Sequence, residues 1–215
     1  MGKFIIIEGP DFCGKSTQLK MLMEGYGSPF LFTREPGSYL PESGMKCERL
    51  RQEVLEHEHS LIEEASIFAE SRYIHTKEIV DLIKQGFNII SDRYIISSLA
   101  YQGYAQELGA DTIYELNEAT LRLLKDANIT IECIKFTINQ SEWEKRREER
   151  LDNQAADVIE EKDIHLDILK FFSDKNIFDS YTNKLDINVH EVDASGNPIM
   201  VYSRFLATIK NILNN

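Results

Sequence analysis

Gly9-Pro10-Asp11-Phe12-Cys13-Gly14-Lys15-Ser16 decides how the rest of this 215-residue chain is read. The segment fits G-x-x-x-x-G-K-[ST]. Lys3–Glu8 before it is a short apolar run of the kind that forms a fully buried strand. Leu19, Leu22, Met23 and Tyr26 after it recur at helical spacing. A strand, a glycine loop and a helix in that order form an anion nest, because the glycines let successive N–H groups point inward. The positive end of the helix beginning near Lys15 adds to it. Lys15 is expected to reach β- and γ-phosphates, and Ser16 to place its hydroxyl on Mg²⁺. Gly9, Asp11, Phe12, Cys13, Gly14 and Thr17 complete the expected phosphate site. The bland alternative is an ordinary strand-to-helix turn. A triphosphate site alone does not separate a hydrolytic switch from a kinase with a second substrate.

Outward from this loop, short β-rich runs alternate with helix-period segments. Phe30–Thr33, Asn88–Ser91, Ile129–Ile138 and Ile187–Val192 read as further strands. Residues 61–84 read as a helix, as do the stretches marked by Ile113, Leu116, Thr120, Leu123 and Leu124, by Ile164, Ile168, Phe171 and Phe172, and by Ile199 to Leu213. Such alternation implies an α/β fold, a mostly parallel sheet with helices on both faces and right-handed crossovers. Ligands bind such sheets beyond the carboxyl ends of the strands. Three motifs fall there: the phosphate loop, Thr33-Arg34-Glu35-Pro36-Gly37 and Asp92-Arg93-Tyr94. With no repeat and no linker, residues 1–215 read as one domain, with the polar helical segment at about 142–160 as its lid.

Lys plus Arg is 24 and Asp plus Glu is 36, so the formal charge is 24 − 36 = −12. That balance argues against a general nucleic-acid binder and against an anionic membrane surface. Cys13, Cys47 and Cys133 are odd in number and form no C-x-x-C, which disfavours zinc and a disulfide framework and favours a reducing, cytoplasmic compartment. Residues 1–20 lack the pattern of a secretory leader, and no apolar run is long enough for a membrane span. His57, His59, His165 and His190 have no nameable partners and read as surface or packing residues.

Asp92-Arg93-Tyr94-Ile95-Ile96-Ser97-Ser98-Leu99-Ala100-Tyr101-Gln102-Gly103 resembles the DRYxxSSxAYQG signature of bacterial-type thymidylate kinases. Thr33-Arg34-Glu35-Pro36-Gly37 resembles their TREPG, and Phe68-Ala69-Glu70-Ser71-Arg72 with His75 is similar to their FAADRAQH helix. Glu8 and Asp11 also fit. The motifs run in the family's order from about residue 3 to 103; the carboxyl half resembles the family only loosely.

The resemblance implies a three-layer P-loop kinase fold with a five-stranded parallel sheet and a short helical lid. It implies transfer of a phosphoryl group from ATP to dTMP, giving ADP and dTDP, with Mg²⁺ and often in a homodimer. Phe68 would stack on thymine and Arg72 would hydrogen-bond its edge; i and i+4 share one helix face. Ser98 would read the base, Tyr101 would crowd the 2′ position, and Asp11 would bond the 3′-hydroxyl. Arg93 and Arg51 would hold the acceptor phosphate, and Asp92 would organise Mg²⁺ or the acceptor. Glu35, Pro36, Ser97 and Gln102 complete the implied dTMP site, and Pro36 would follow a cis peptide.

In the lid, Trp143, Arg146, Arg147 and Arg150 fall at i, i+3, i+4 and i+7, on one face. By resemblance Arg146 would stack on adenine, and Arg150, with Arg147 as understudy, would stabilise the transferring phosphoryl group. Asp157 and Glu160 match the end of the family's lid motif; Val158 replaces its Arg. Phe12 stands where the family usually has Gly or Arg, and Ser71 replaces an Asp. These departures keep two alternatives open: a kinase for another (deoxy)nucleotide or deoxynucleoside, and a nucleotide-binding protein without activity. Lys15, Arg34, Arg51, Arg72, Arg93, Arg146 and Arg150 are expected to converge on one cleft, with the acids elsewhere.

Overall fold

Phe4, Ile5, Ile6 and Ile7 have no polar side chain for either face of a strand, so the strand must be covered on both sides. A computed structural model describes residues 1–25, 30–151 and 164–214. In it β1 (Phe4–Glu8) is buried along its whole length at the centre of a parallel sheet. Among the described residues five strands take part: β2 (Phe30–Arg34), β3 (Asn88–Asp92), β4 (Ile131–Thr137) and β5 (Ile187–Asp193) join β1 in the order β2-β3-β1-β4-β5. The order reverses at β1, which places a crevice beyond its carboxyl end.

The helices are α1 (Lys15–Gly25), α2 (Gly44–Glu56), α3 (Leu61–Lys84), α4 (Ile95–Ser98), a π-helix (Leu99–Ala105), α5 (Ala110–Leu116), α6 (Glu118–Asp126), α7 (Gln140–Leu151), α8 (His165–Ser173), α9 (Lys175–Thr182) and α10 (Pro198–Asn214). Strand alternation sorts the core into two layers. Phe4, Ile6, Ile89 and Cys133 face α3, the π-helix and α8; Ile5, Ile7, Ile90 and Ile134 face α1 and α10. No described helix is long and apolar enough to cross a membrane.

The strands and α3 lie where the sequence predicts them, within two residues. The single helix predicted through Ile113 and Leu124 is instead two, broken at Asn117. Its side chain donates to the Ile113 carbonyl at 2.8 Å and accepts from Arg72 at 2.8 Å, a local competitor for helix bonds with an outside partner. The sequence reading lacks α9, which starts because Asp174 accepts from the Asn176 and Ile177 amides. Tyr26, expected on the first helix, lies outside the described residues.

Phe205 of α10 is fully buried and packs edge-on against Phe136 of β4, with centroids 5.4 Å apart. Phe205→Ala should cost about 3–5 kcal/mol. Thermal unfolding should show a midpoint lowered by roughly 6–20 °C.

Candidate active site

Parallel register brings three loops to one edge. Ile7 aligns with Asp92, and Asp92 with Arg34, so the segments that follow β1, β2 and β3 start side by side. The backbone locks them further: the Arg93 amide donates to the Ile7 carbonyl at 3.0 Å, and the Glu35 amide to the Asp92 carbonyl at 2.9 Å.

The loop after β1 wraps around Lys15. Its ammonium donates to the carbonyls of Gly9 at 2.8 Å and Pro10 at 2.7 Å, so its charge is held in place from within the loop. Gly9 has φ 147°, and a Cβ there would stand 2.8 Å from the Phe136 carbonyl oxygen, so only glycine fits. Phe12 adopts φ 62°, strained for a bulky residue. Its ring is held edge-on by Trp143 and His165, with centroids 6.1 and 5.6 Å away.

Asp11 is the hub. Its carboxylate accepts hydrogen bonds from the Arg93 guanidinium and the Tyr101 hydroxyl. Its backbone carbonyl accepts from Trp143 Nε1 at 2.7 Å, and His165 Nδ1 stands 3.8 Å from Oδ2. Burial opposes ionisation of Asp11, yet Arg93, Lys15 and the Tyr101 hydroxyl hold its carboxyl below the ordinary aspartate range. Arg93 sits at φ 71° and also donates to Gly9 O at 3.3 Å and Ser97 Oγ at 3.1 Å.

Two adjoining pockets share Asp11, Ser16, Asp92 and Arg93 as a common wall. The one of about 320 Å³ lies among the loops after β2 and β3 and α3. Phe68, half-buried, offers its ring there, and Arg34, Arg51, Pro36 and Tyr101 line it too. Arg72 is fixed from three sides: Nε to Glu35 at 2.7 Å, NH1 to Asn117 at 2.8 Å and NH2 to Ser98 Oγ at 2.9 Å. Gln102 donates to Glu64 at 2.9 Å, and Ser97 Oγ turns to Glu8 at 2.7 Å. The Glu35-Pro36 bond is cis, as expected from the resemblance.

The pocket of about 800 Å³ runs along the phosphate loop, past Cys13, Gly14 and Thr17, toward α7 and the start of α10. Arg146 stretches between the two walls, donating to Cys13 O at 3.0 Å, Ala194 O at 2.8 Å and Gly196 O at 3.0 Å. Arg150 lines the same trough.

Asp92 Oδ1 is buried and has no hydrogen-bond partner among the described residues. It shares the common wall with the exposed Ser16 hydroxyl. Two hard oxygen donors beside a phosphate nest suit Mg²⁺, which takes few protein ligands and fills its shell with phosphate and water. No cluster of three His, Cys, Asp or Glu able to cage a metal occurs among the described residues.

Two expectations need correction. The seven cations do gather on the paired pockets, but the acids are not elsewhere: Asp11, Glu35, Glu64, Asp92, Glu142 and Glu149 line them as well. Arg34 pairs with Glu48, Arg72 with Glu35, Arg93 with Asp11 and Arg146 with Glu142. Buried and half-buried guanidiniums gathered this closely repel one another, so each needs a counter-charge. The lid face also differs. Glu142, Lys145, Arg146, Glu149 and Arg150 face the trough, whereas Trp143 is buried at 1% exposure and Arg147 stacks on its ring at 5.8 Å. The indole is large and apolar, and the core claims it. Asp157, Val158 and Glu160, with the rest of the segment expected as a lid, lie outside the described residues.

His165, read as a packing residue, packs against the hub itself, and Gln18, which the motifs do not mark, lines the larger pocket. The signal for Gln18 was its position three residues after Lys15, on the helix that opens at the phosphate site.

The thymidylate kinase family model matches residues 7–192. A thymidylate kinase of Bacillus velezensis is 30% identical, across 99% of this chain and 97% of its own. One from Thermoanaerobacter sp. strain X514 is 34% identical over 82% of this chain and 88% of its own. The crystal structure of a thymidylate kinase from Ehrlichia chaffeensis superposes with a TM-score of 0.63 at 21% identity, covering 98% of this chain and all of that one.

Glu8 ends β1 beneath the hub. Burial pushes its carboxyl up from 4.5 to about 7, against the opposing pull of Arg93, the Ser97 hydroxyl, the Tyr94 amide and Lys15. A raised carboxyl binds its proton more tightly folded than unfolded. Its contribution to stability is therefore fullest below pH 4.5, declines as pH rises from 4.5 to 7, and is flat above. Urea unfolding of Glu8→Gln against wild type should show the mutant gaining on the order of 3 kcal/mol relative to wild type between pH 4.5 and 8. A difference independent of pH would refute the assignment.

Proposed function

The chain belongs to the thymidylate kinase family, and from that membership we propose how its two pockets divide the work. The chain phosphorylates dTMP with ATP, giving dTDP and ADP. The smaller pocket takes dTMP and the larger trough takes ATP. The observation that carries this is the shared wall: Asp11, Ser16, Asp92 and Arg93 border both pockets, so donor and acceptor phosphates meet there.

Lys15, Arg93 and Arg150 neutralise the charge that two polyanions bring together; catalysis is positioning and electrostatics with no covalent intermediate. Phe68 covers the thymine ring while Arg72, Ser98 and Gln102 read its edge. Glu35 and Asn117 hold Arg72 rigid, which supports an orienting role over a flexible one. Tyr101, bonded to Asp11, would crowd the 2′ position of the sugar. Asp11 takes the 3′-hydroxyl, and Arg51 and Arg93 take the acceptor phosphate. Arg146 lies along adenine. Mg²⁺, which Ser16 and Asp92 would hold, would supply positive charge to the phosphates of the donor. Residues 1–215 act as one domain, with α7 beginning the lid.

Family membership also supports a homodimer; exposed Met45 on α2 and Ile62 and Tyr73 on α3 are apolar surface for a second copy to cover. Buried thiols at Cys13, Cys47 and Cys133, all unpaired, suit the cytoplasm.

A coupled ADP-release assay with ATP and a panel of monophosphates tests the reaction. Turnover should be highest with dTMP, and no turnover with any monophosphate would overturn the reading. Arg150→Ala should lower kcat by about 10²–10³-fold while ATP affinity is retained. Unchanged kcat would remove Arg150 from the catalytic set.

A further inference from the structure

The donor trough has two ends with different chemistry. At one, Lys15, Ser16, Asp92 and Arg93 gather charge for phosphates. At the other, hydrogen bonds tie together a second group of residues. Gln18, one turn further along α1, donates from Nε2 to the Pro198 carbonyl at 3.2 Å. Arg146 donates to the Ala194 and Gly196 carbonyls of the segment just before Pro198. Val201 adds an apolar side chain. A flat guanidinium, a proline and a valine suit a planar, uncharged ring, which makes this the base end.

Gln18 is only 2% exposed, and its Oε1 has no hydrogen-bond partner among the described residues. The bond from Nε2 to Pro198 settles which end of the amide is which, so the unpaired atom is the acceptor. The Ala194 and Gly196 carbonyls each already accept a hydrogen bond from Arg146. A buried acceptor left unpaired is costly, and a ligand that donates to it recovers that cost.

We propose that Gln18 selects the base of the phosphoryl donor, accepting a hydrogen bond from the exocyclic amine of a 6-aminopurine through Oε1. Guanine sets a carbonyl oxygen where adenine has its amine; two acceptors then face each other and Gln18 stays unpaired. A site built to pair with a polar group rejects a ligand that lacks it far better than an apolar wall would. This deepens the ATP-dependent reading above and rests on it.

The test measures kcat/KM on the full chain at saturating dTMP for ATP, GTP and purine riboside triphosphate, which lacks the amine. Wild type should favour ATP over purine riboside triphosphate by about tenfold, and over GTP by more. Gln18→Met should drop ATP to the level of purine riboside triphosphate and leave the latter nearly unchanged. Gln18→Glu, which keeps an oxygen acceptor, should retain the preference for ATP. Equal use of ATP and purine riboside triphosphate by wild type overturns the proposal, as does an equal loss for both in Gln18→Met. Should Gln18→Met fail to fold, the wild-type ratio and Gln18→Glu decide. Absence of dTMP turnover with every triphosphate strikes at the proposed reaction alone. Calorimetric affinities then decide the role of Gln18: tighter binding of ATP than of purine riboside triphosphate supports it, and equal binding overturns it.

Discussion

The ion pair between Asp11 and Arg93 is the joint on which the rest of the site turns. Asp11 belongs to the loop after β1 and Arg93 to the loop after β3, and parallel pairing sets those strand ends side by side. Once the pair forms, Tyr101 of the π-helix and Trp143 of α7 have a fixed group to bind. Arg93 accepts a left-handed backbone to reach it, at φ 71°. Such strain persists only where surrounding contacts over-determine it, and here Gly9, Ser97 and Asp11 all hold the same guanidinium. The common wall between the pockets is therefore rigid before either nucleotide arrives, as positioning chemistry requires.

A second consequence concerns Phe12. A side chain at φ 62° in a phosphate loop is unfavourable unless its burial offsets the backbone cost. Trp143 of α7 and His165 of α8 both face the Phe12 ring. The helix that carries Arg146 and Arg150 is thus anchored to the phosphate loop through an aromatic cluster. A guanidinium in place of Phe12 would not supply that anchorage.

Much of this was legible in the sequence, and the limits have physical causes. The strands were visible because a parallel sheet covered on both faces demands unbroken apolar runs such as Phe4–Ile7. The phosphate loop was visible because backbone nests demand glycine at fixed spacing. Residues on the two sides of the cleft could be named because each lies at a strand end or one turn apart on α3. The split at Asn117 was hidden, because helical periodicity continues across it and only the distant Arg72 gives the side chain its reason. The direction of Trp143 was hidden too: spacing put it with the arginines, and tertiary burial took it to the core. The pairing of Arg34, Arg72 and Arg93 with carboxylates was hidden because Glu48, Glu35 and Asp11 are far from their partners in sequence.

That pairing changes what nucleotide binding is. Arg34, Arg93 and Arg146 are not bare charges in water; Glu48, Asp11 and Glu142 already pair with them. A phosphate binding there would meet cations that are already paired rather than free charge. The pairing means added salt should compete less than seven free cations would suggest. It also sets a threshold. A lone carboxylate or sulfate offers no advantage over the partner in place, whereas a nucleotide brings several oxygens and a base at once. On the proposed reading, the acidic residues inside the cleft would disfavour small anions.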